Sequence, residues 1–311
     1  MQLERHLTNW GPLLIFLAAM LWASDAPFRF HLAQTLSPSF IVLIEHFINT
    51  LIILPFIFLN WQEIRSLKWR QWTVILGIGI GASAVATIFF TQSFTYVNPS
   101  VAIVLQKLQP LIAIALAVTF LGERTGKRFW MWATLALFGA YAVSFPSLVP
   151  KLYDGEVWNP NTIGVLLALG AAALWGTGTV LGRSILQAVS FKTVASLRLA
   201  TAFIFLMVWS TPSNIAHSIQ SLTGKDVLFL IVMSLVSGFI SLFLYYHGLS
   251  HTRASIASIA ELGFPFLAVI VNAATIGVFL APMQIVGMLL LLLAVWGLTK
   301  MNSTASTSSI L

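Results

Sequence analysis

The chain has 311 residues, of which 58% are hydrophobic and only 8% are charged. Soluble proteins carry roughly 25% charged residues, so the composition excludes a soluble globular protein and indicates a helical protein that crosses a membrane several times. The net charge of +7 does not indicate nucleic-acid binding, because the basic residues stand singly or in small groups between apolar runs, as loop charges do in membrane proteins. The absence of cysteine excludes disulfides, thiol chemistry and a cysteine metal site.

Apolar runs long enough to cross a bilayer recur along the whole chain, since one span needs about 20 mostly apolar residues. The predicted fold class is therefore an all-α polytopic membrane protein with ten transmembrane helices. In chain order the spans are 11–31, 38–60, 71–94, 99–121, 128–146, 162–185, 191–211, 226–248, 254–277 and 281–300. The polar segment 301–311 is predicted to be a disordered cytoplasmic tail.

The distribution of lysine and arginine predicts the orientation. If the N-terminus is cytoplasmic, eleven basic residues fall on the cytoplasmic side and two, Lys151 and Lys225, on the other. This bias is the positive-inside signal, and it predicts a protein of the cytoplasmic (inner) membrane with both termini in the cytoplasm. The segment 147–161 is then an extracytoplasmic linker between two halves.

The two halves repeat one another. Residues 21–47 resemble 174–200 at an offset of 153, so Trp22 matches Trp175, Ser24 matches Thr177 and Glu45 matches Arg198. In the third and eighth spans, at an offset of 154, Ser83, Thr87 and Thr91 fall on Ser237, Ser241 and Tyr245. Each half, 1–146 and 162–300, holds five spans, and an odd number makes the second half an inverted repeat of the first. Such repeats place a site near the midplane and open it to each side in turn, although duplication for stability alone is the alternative.

Several short motifs occur in a specific order and spacing along the chain: "LWAS" and "LWGTG", the stretch from Pro110 to an "LGER" ending at Arg124, and "E-x3-P" at Glu261 to Pro265. Together the chain resembles the drug/metabolite transporter superfamily, in its EamA-type branch. The resemblance implies a central cavity lined by spans one to four and six to nine, with spans five and ten outside. It also implies small organic solutes, often amino acids, that are exported or exchanged. Two departures are Glu45, where the family commonly has arginine, and Val278, where a second "GE" would be completed.

Eight ionisable residues lie inside the predicted spans: Asp25, Arg29, Glu45, His46, Lys107, Arg198, His247 and Glu261. A rise of 1.5 Å per residue places Glu45 about 10 Å and Lys107 about 12 Å below the outer hydrocarbon surface. Arg198 and Glu261 lie about 10 Å from the inner surface. The depths predict two ion pairs, Glu45 with Lys107 and Glu261 with Arg198, that act as gating or coupling residues. Static structural pairs are the alternative.

The remaining charged residues receive local interpretations. Asp25 and Arg29 are four residues apart, which predicts a pair along one helix face near the outer end of the first span, with Arg29 extending to the interface. Pro27 predicts a kink at this point. His46 is interpreted as a packed, hydrogen-bonded side chain, since it lies about 100° around the helix from Glu45.

Hydroxyl, amide and aromatic side chains predict the lining of a substrate pathway. The hydroxyls follow i, i+4 spacing and so share one helix face, although such hydroxyls also bond back to their own helix. The predicted pathway residues are Trp22, Ser24, Ser83, Thr87, Thr91, Gln106, Trp175, Thr177, Ser237, Ser241 and Tyr245.

The predicted function is a secondary active transporter that moves a small organic metabolite, an amino acid or related compound, by alternating access as an exporter or exchanger. No nucleotide-binding loop occurs, so ATP does not drive it directly. An uptake permease or antiporter for a charged, nucleotide-like metabolite is the alternative within transport. An intramembrane enzyme is the alternative from another class, but the sequence offers no catalytic pair or metal set, and no cofactor is predicted. The expected partners are the solute and the lipid bilayer, with protons as a candidate coupling ion, in a monomer or homodimer.

Overall fold

A computed structural model of the protein describes residues 2–109, 111–112, 115–116, 127–149, 152–155, 157–186, 188–250 and 263–308. Almost all of these residues are helical. In the first half the helices are α1 Gln2–Ala23, α2 Asp25–Leu32, α3 Pro38–Leu59, α4 Trp61–Ser66, α5 Trp69–Leu76, α6 Ala86–Ser93, α7 Pro99–Leu105 and α8 Lys127–Ser144. A π-helical segment, Gly77–Val85, joins α5 to α6, and a 3-10 turn, Gln106–Leu108, follows α7.

The second half begins after a short hairpin whose strands, β1 Tyr153–Asp154 and β2 Val157–Trp158, pair antiparallel. Gly155 turns this hairpin with a φ of +65°, a conformation that side chains other than glycine rarely adopt. The helices that follow are α9 Pro160–Ile185, α10 Phe191–Trp209, α11 Pro212–Ser221, α12 Gly224–Met233, α13 Ser241–Ser250, α14 Gly263–Ile276 and α15 Pro282–Ser308. A second π-helical segment, Ser234–Ile240, joins α12 to α13.

Within the described residues, six segments are long and apolar enough to cross a membrane. They are Leu13–Leu32, Pro38–Leu59, Trp69–Ser93, Pro160–Gly182, Phe191–Trp209 and Gly224–Tyr245. Three shorter apolar helices coincide with parts of the predicted fourth, ninth and tenth spans: Pro99–Leu108, Phe264–Ile276 and Pro282–Gly297. The multi-pass helical fold is thus confirmed, and the count of ten spans stays a prediction.

The predicted kink in the first span is present. Helix α1 ends at Ala23 and α2 begins at Asp25. Pro27 has no backbone N–H to donate to the carbonyl of Ala23, so the helical ladder is interrupted at this point. The Ser24 hydroxyl donates to the Leu21 carbonyl at 2.7 Å, so this backbone acceptor has a hydrogen-bond partner where the helix is interrupted.

Two apolar clusters hold the ends of the bundle. The α4 cluster contains Ile64, Ile75, Ile78, Ala82, Ile185, Val189, Val194 and Leu197. The α11 cluster contains Leu32, Ala33, Leu36, Phe40, Ile41, Leu230 and Met233, with Ile44 and Ile215 packed against it. Four positions are shared at an offset of 153: Leu32 and Ile185, Leu36 and Val189, Ile41 and Val194, and Ile44 and Leu197. The repeat seen in the sequence is therefore a repeat of packing positions.

Helices α8 and α15 pack closely on each other. A Cβ atom added at Gly139 would lie 2.7 Å from the Leu291 backbone nitrogen, and one at Gly287 would lie 2.7 Å from the Gly139 carbonyl. Glycine at these two positions lets the helix backbones approach, as small residues do in membrane helix pairs. Helix α15 continues to Ser308, into the segment predicted to be disordered. Continuing a formed helix is easier than starting one, and no glycine or proline interrupts this stretch.

Candidate functional site

The centre of the candidate site is a buried ion cluster around Arg29, which is only 3% exposed. Its Nε atom lies 2.6 Å from Oδ2 of Asp25, and its Nη2 atom lies 2.9 Å from Oε2 of Glu45. A second bond, of 3.2 Å, joins Nη2 to Oδ1 of Asp25. Asp25 therefore holds the guanidinium through two bonds and Glu45 through one, a planar arrangement that suits arginine better than lysine.

Two hydroxyls complete this cluster. The Thr91 hydroxyl accepts from Nη1 of Arg29 at 2.9 Å and donates to the Thr87 carbonyl at 2.7 Å. Ser237 donates to Oδ1 of Asp25 at 2.9 Å and also to the Met233 carbonyl. The ion cluster thus joins the first, second and third spans of one half to the eighth-span segment of the other. We call Asp25, Arg29, Glu45, Thr91 and Ser237 the Arg29 cluster.

The charges within the Arg29 cluster do not balance, because one guanidinium faces two carboxylates. An uncompensated charge away from water is costly, by several kcal/mol even after relaxation. Ser237 lowers this cost through its hydrogen bond to Asp25 but adds no charge.

The sequence-based assignment of partners needs a correction here. The local pair of Asp25 and Arg29 is confirmed, but Arg29 points into the bundle and not towards the interface. Glu45 pairs with Arg29 and not, as predicted, with Lys107. The reason is that the depth estimate compared Glu45 only with Lys107 and left out Arg29, which was assigned to the interface but is buried against Glu45.

Arg198, the repeat counterpart of Glu45, lies elsewhere in the site. Its Nε atom donates to the Ser83 hydroxyl at 2.6 Å, which joins α10 to the π-helical segment Gly77–Val85. The Lys107 ammonium lies 4.8 Å from the centre of the Phe264 ring, within cation–π range. Glu261 lies outside the described residues, so its predicted pairing with Arg198 stays a prediction.

Six of the seven predicted pathway hydroxyls of serine and threonine, all but Thr87, divide into two groups. Ser83, Thr91 and Ser237 contact charged side chains, as described above. Ser24, Thr177 and Ser241 donate to the carbonyls of Leu21, Ala173 and Ser237, in their own segments. These three hydroxyls therefore fit the alternative that such side chains bond back to their own helix, and Thr177 is also exposed. Gln106 has a buried Oε1 atom with no hydrogen-bond partner among the described residues.

The predicted aromatic residues form two ring pairs. Trp22 contacts Tyr245 with ring centres 5.1 Å apart, and Trp175 contacts Phe90 with ring centres 5.2 Å apart. Trp22 and Trp175 match in the repeat, and their partners lie on the matching third and eighth spans. Both tryptophans pack against the same apolar core. His46 is buried with Nδ1 2.9 Å from the Val42 carbonyl, which confirms its interpretation as a packed, hydrogen-bonded residue.

A cavity of about 340 Å³ opens at one end of the bundle. Aromatic and neutral polar side chains line it, among them Phe30, Gln34, Phe94, Tyr96 and Asn98. Phe30 is the next residue of α2 after Arg29, but no residue of the Arg29 cluster lines this cavity.

The sequence did not lead us to place Asp25 and Arg29 in the central ion cluster. The signal that could have indicated it is Pro27, because a proline between two charged residues in a span interrupts the helix there. Sequence reasoning also missed Glu63 on α4, whose carboxylate accepts from the Ser190 backbone N–H at 2.7 Å and from the Ser190 hydroxyl at 2.6 Å. A third bond comes from the Thr193 hydroxyl. Within the described part of the chain, no group of three or more histidine or carboxylate side chains could hold a metal ion.

A bundle of apolar helices that encloses charged and hydroxyl side chains from both halves is typical of a membrane transport protein. The chain belongs to the EamA-like transporter family, which matches residues 9–145 and again residues 162–300. The drug/metabolite transporter superfamily indicated by the motifs is thereby confirmed, and so is the duplication.

This chain is similar to curated proteins and to solved structures. A protein named riboflavin transporter ImpX, from Fusobacterium nucleatum, is 30% identical over 96% of this chain and 100% of its own length. An uncharacterized transporter from Archaeoglobus fulgidus is 24% identical over 66% of this chain and 70% of its own length. A crystal structure at 16% identity and a TM-score of 0.62 covers 96% of this chain and 99% of that one, which shows a shared fold.

Proposed function

We propose that the protein is a secondary active transporter that carries a flat heteroaromatic metabolite of the riboflavin kind across the cytoplasmic membrane by alternating access. The observation that carries the proposal is the 30% identity with a riboflavin transporter over the full length of both chains. The amino-acid substrate implied by the family resemblance becomes the second candidate. The matched aromatic pairs and the engaged guanidinium of Arg29 favour the flat ring over it.

The proposed architecture is ten spans in two inverted five-helix repeats, with both termini cytoplasmic. The equivalent positions in the α4 and α11 clusters support it, because an inverted repeat would place these clusters at opposite ends of the bundle. The excess of basic residues on one side supports the orientation. Two related ends around a shared centre would allow the site to open to each side in turn.

The proposed ring contacts are Trp22 with Tyr245 and Trp175 with Phe90. A flat ring between two aromatic pairs gains stacking contacts on both faces, and no fixed counter-charge is needed for a neutral ring. An amino acid would need a cation for its carboxylate. Arg29 already donates to Asp25, Glu45 and Thr91. Another cation, such as Arg198, which donates to the uncharged Ser83 hydroxyl, would therefore have to bind the carboxylate. Hydroxyl side chains such as that of Ser83 can both donate and accept hydrogen bonds, as a polyhydroxyl chain like that of riboflavin requires.

Protons are the proposed coupling ion, and Glu45 is the proposed carrier. Asp25 is held by two bonds from Arg29 and one from Ser237, whereas Glu45 receives one bond from Arg29. Glu45 therefore loses less when it accepts a proton, and protonation would remove the excess negative charge of the Arg29 cluster. Lys107, Arg198 and Glu261 remain proposed gating residues.

The test of substrate and class is counterflow in proteoliposomes. Vesicles loaded with unlabelled riboflavin should take up labelled riboflavin faster than empty vesicles, because a carrier is stimulated by solute on the far side, and a channel is not. Vesicles loaded with mixed amino acids serve as the parallel arm. Counterflow of amino acids without counterflow of riboflavin would contradict the proposed substrate and retain the transporter class.

Replacing Trp22 by alanine is expected to weaken riboflavin binding about tenfold, because the loss of one stacking side chain removes about 1–3 kcal/mol. Quenching of riboflavin fluorescence by the purified protein measures the dissociation constant. Trp22→Phe should retain most of the affinity, since a ring remains. Trp69→Ala is the matched control, because Trp69 is 72% exposed. Equal affinity of Trp22→Ala and the unaltered protein would exclude Trp22 from the ring site.

A further inference from the structure

Two short helices lie at the ends of the bundle, and each contacts the first turn of a long helix from the other half. On α4, Glu63 contacts Ser190, the residue that caps the N-terminus of α10. On α11, Ser218 contacts Ser37, the residue that caps the N-terminus of α3. Ser37 and Ser190 lie 153 residues apart, and Glu63 and Ser218 lie 155 apart, so both contacts follow the internal repeat.

The contact on α4 is strong. The Glu63 carboxylate accepts three hydrogen bonds, from the Ser190 backbone, the Ser190 hydroxyl and the Thr193 hydroxyl. Partial burial acts to raise the pKa of Glu63, but the hydrogen bonds from Ser190 and Thr193 outweigh it and hold the pKa below its usual value. The carboxylate is therefore ionised at neutral pH, and it also lies at the positive N-terminal end of α10. Hydrogen bonds to an ionised acceptor are roughly twice as strong as neutral ones.

The contact on α11 is weak. The hydroxyl oxygens of Ser37 and Ser218 are 3.5 Å apart, at the limit of a hydrogen bond, and neither group is charged. The same position in the repeat thus carries a carboxylate with three donors at one end and a single distant hydroxyl pair at the other.

These two contacts lie at opposite ends of the bundle. Ser190 begins α10, and α11 follows the other end of this 19-residue helix, which is about 28 Å long. The cavity of about 340 Å³, lined by Tyr96 and Asn98, lies at the end opposite Glu63, because the 25-residue segment Trp69–Ser93 separates them. The end with the weak contact is therefore the end at which this cavity lies.

We propose that Glu63 is a positioning residue of the transport cycle, a latch that holds the α4 end closed so that the resting protein opens at the α11 end. This inference rests on the proposed alternating access and on nothing about the solute. Opening the α4 end requires the three bonds of Glu63 to break together. At the α11 end the matching contact is the weak Ser37–Ser218 pair, beside which His31 of α2 lies 3.5 Å from the Asp226 carboxylate of α12.

The natural chain contains no cysteine, which allows a direct test with single-cysteine reporters. Val194→Cys places a thiol in the α4 cluster and Ile41→Cys places one at the matching position of the α11 cluster, and both residues are buried. The labelling rate of each thiol by a water-soluble maleimide, measured on the full chain in vesicles without solute, reports how often that end opens.

Glu63→Gln, combined with each reporter, is expected to raise the labelling rate at Val194→Cys about tenfold and to leave unchanged or lower the rate at Ile41→Cys. Thr193→Val removes one donor and no charge, so it should produce a smaller shift in the same direction. Ser218→Ala, the matched control, should change the rate at Val194→Cys by less than a factor of about two.

The opposite responses of the two reporters separate a latch from general loosening. Equal increases at both ends, or no change at either, would overturn the proposal. If Glu63→Gln fails to fold, Thr193→Val still decides, because valine matches threonine in shape. Counterflow measured separately tests transport, so failure of the latch and failure of the proposed function give different results.

Discussion

Replacing Arg29 by glutamine is expected to destabilise the protein by about 3–5 kcal/mol, the largest effect of any single substitution considered. The substitution leaves the carboxylates of Asp25 and Glu45 close together and buried with no cation between them. It also removes the donor to Thr91 and so breaks a link between α2 and the third span. The thermal unfolding midpoint of the purified protein in detergent should fall by about 10 °C.

A double substitution identifies charge as the cause. Arg29→Gln combined with Glu45→Gln returns the Arg29 cluster to a single excess negative charge, so part of the lost stability should return. Arg70→Gln is the control. Arg70 is an exposed cation, so its replacement should change the free energy of unfolding by less than about 0.5 kcal/mol. A double variant no more stable than Arg29→Gln alone would show that packing around the guanidinium dominates.

Glu45→Gln is expected to abolish accumulation of solute driven by a pH gradient while counterflow without a gradient continues. Glutamine keeps the shape of the side chain and an oxygen that accepts from Arg29, but it cannot take up and release a proton. Uptake into proteoliposomes with an imposed pH gradient should fall at least tenfold, which corresponds to about 1.4 kcal/mol or more of lost coupling.

Asp154→Asn is the matched control, because Asp154 is an exposed carboxylate in the hairpin between the halves. It should transport like the unaltered protein in both assays. Gradient-driven accumulation that persists in Glu45→Gln would exclude Glu45 as the proton carrier. Loss of counterflow together with accumulation would assign Glu45 a structural role in the Arg29 cluster.

The elements that the sequence predicted best were the long apolar helices. Hydropathy places a segment in the membrane whatever it packs against, so Pro38–Leu59, Trp69–Ser93 and Phe191–Trp209 lie within two residues of their predicted bounds. The kink near Asp25 was also predictable, because Pro27 lacks the N–H that the helix requires. The π-helical segments were not predicted, since their apolar residues fit an ordinary helix equally well.

The partners of the buried charges were harder to predict. Residue spacing gives the depth of a side chain but not its direction around the helix, and a kink changes both. Glu45 and Lys107 were matched by depth, whereas Nη2 of Arg29 lies 2.9 Å from the Glu45 carboxylate. Ser237 contacts Asp25 although the two residues are 212 positions apart in the sequence, and no rule of local spacing predicts such a contact.

The sequence by itself therefore determined a membrane class, a duplicated chain and membership of a transporter family, because composition, hydropathy and repeat are properties of residues in order. Only the tertiary structure decided which charges meet, that one arginine serves two carboxylates, and that Glu63 and Ser218 make unequal contacts at matching places. The physical reason is that a buried charge acts through neighbours a few ångströms away, and the packing of helices from both halves chooses those neighbours.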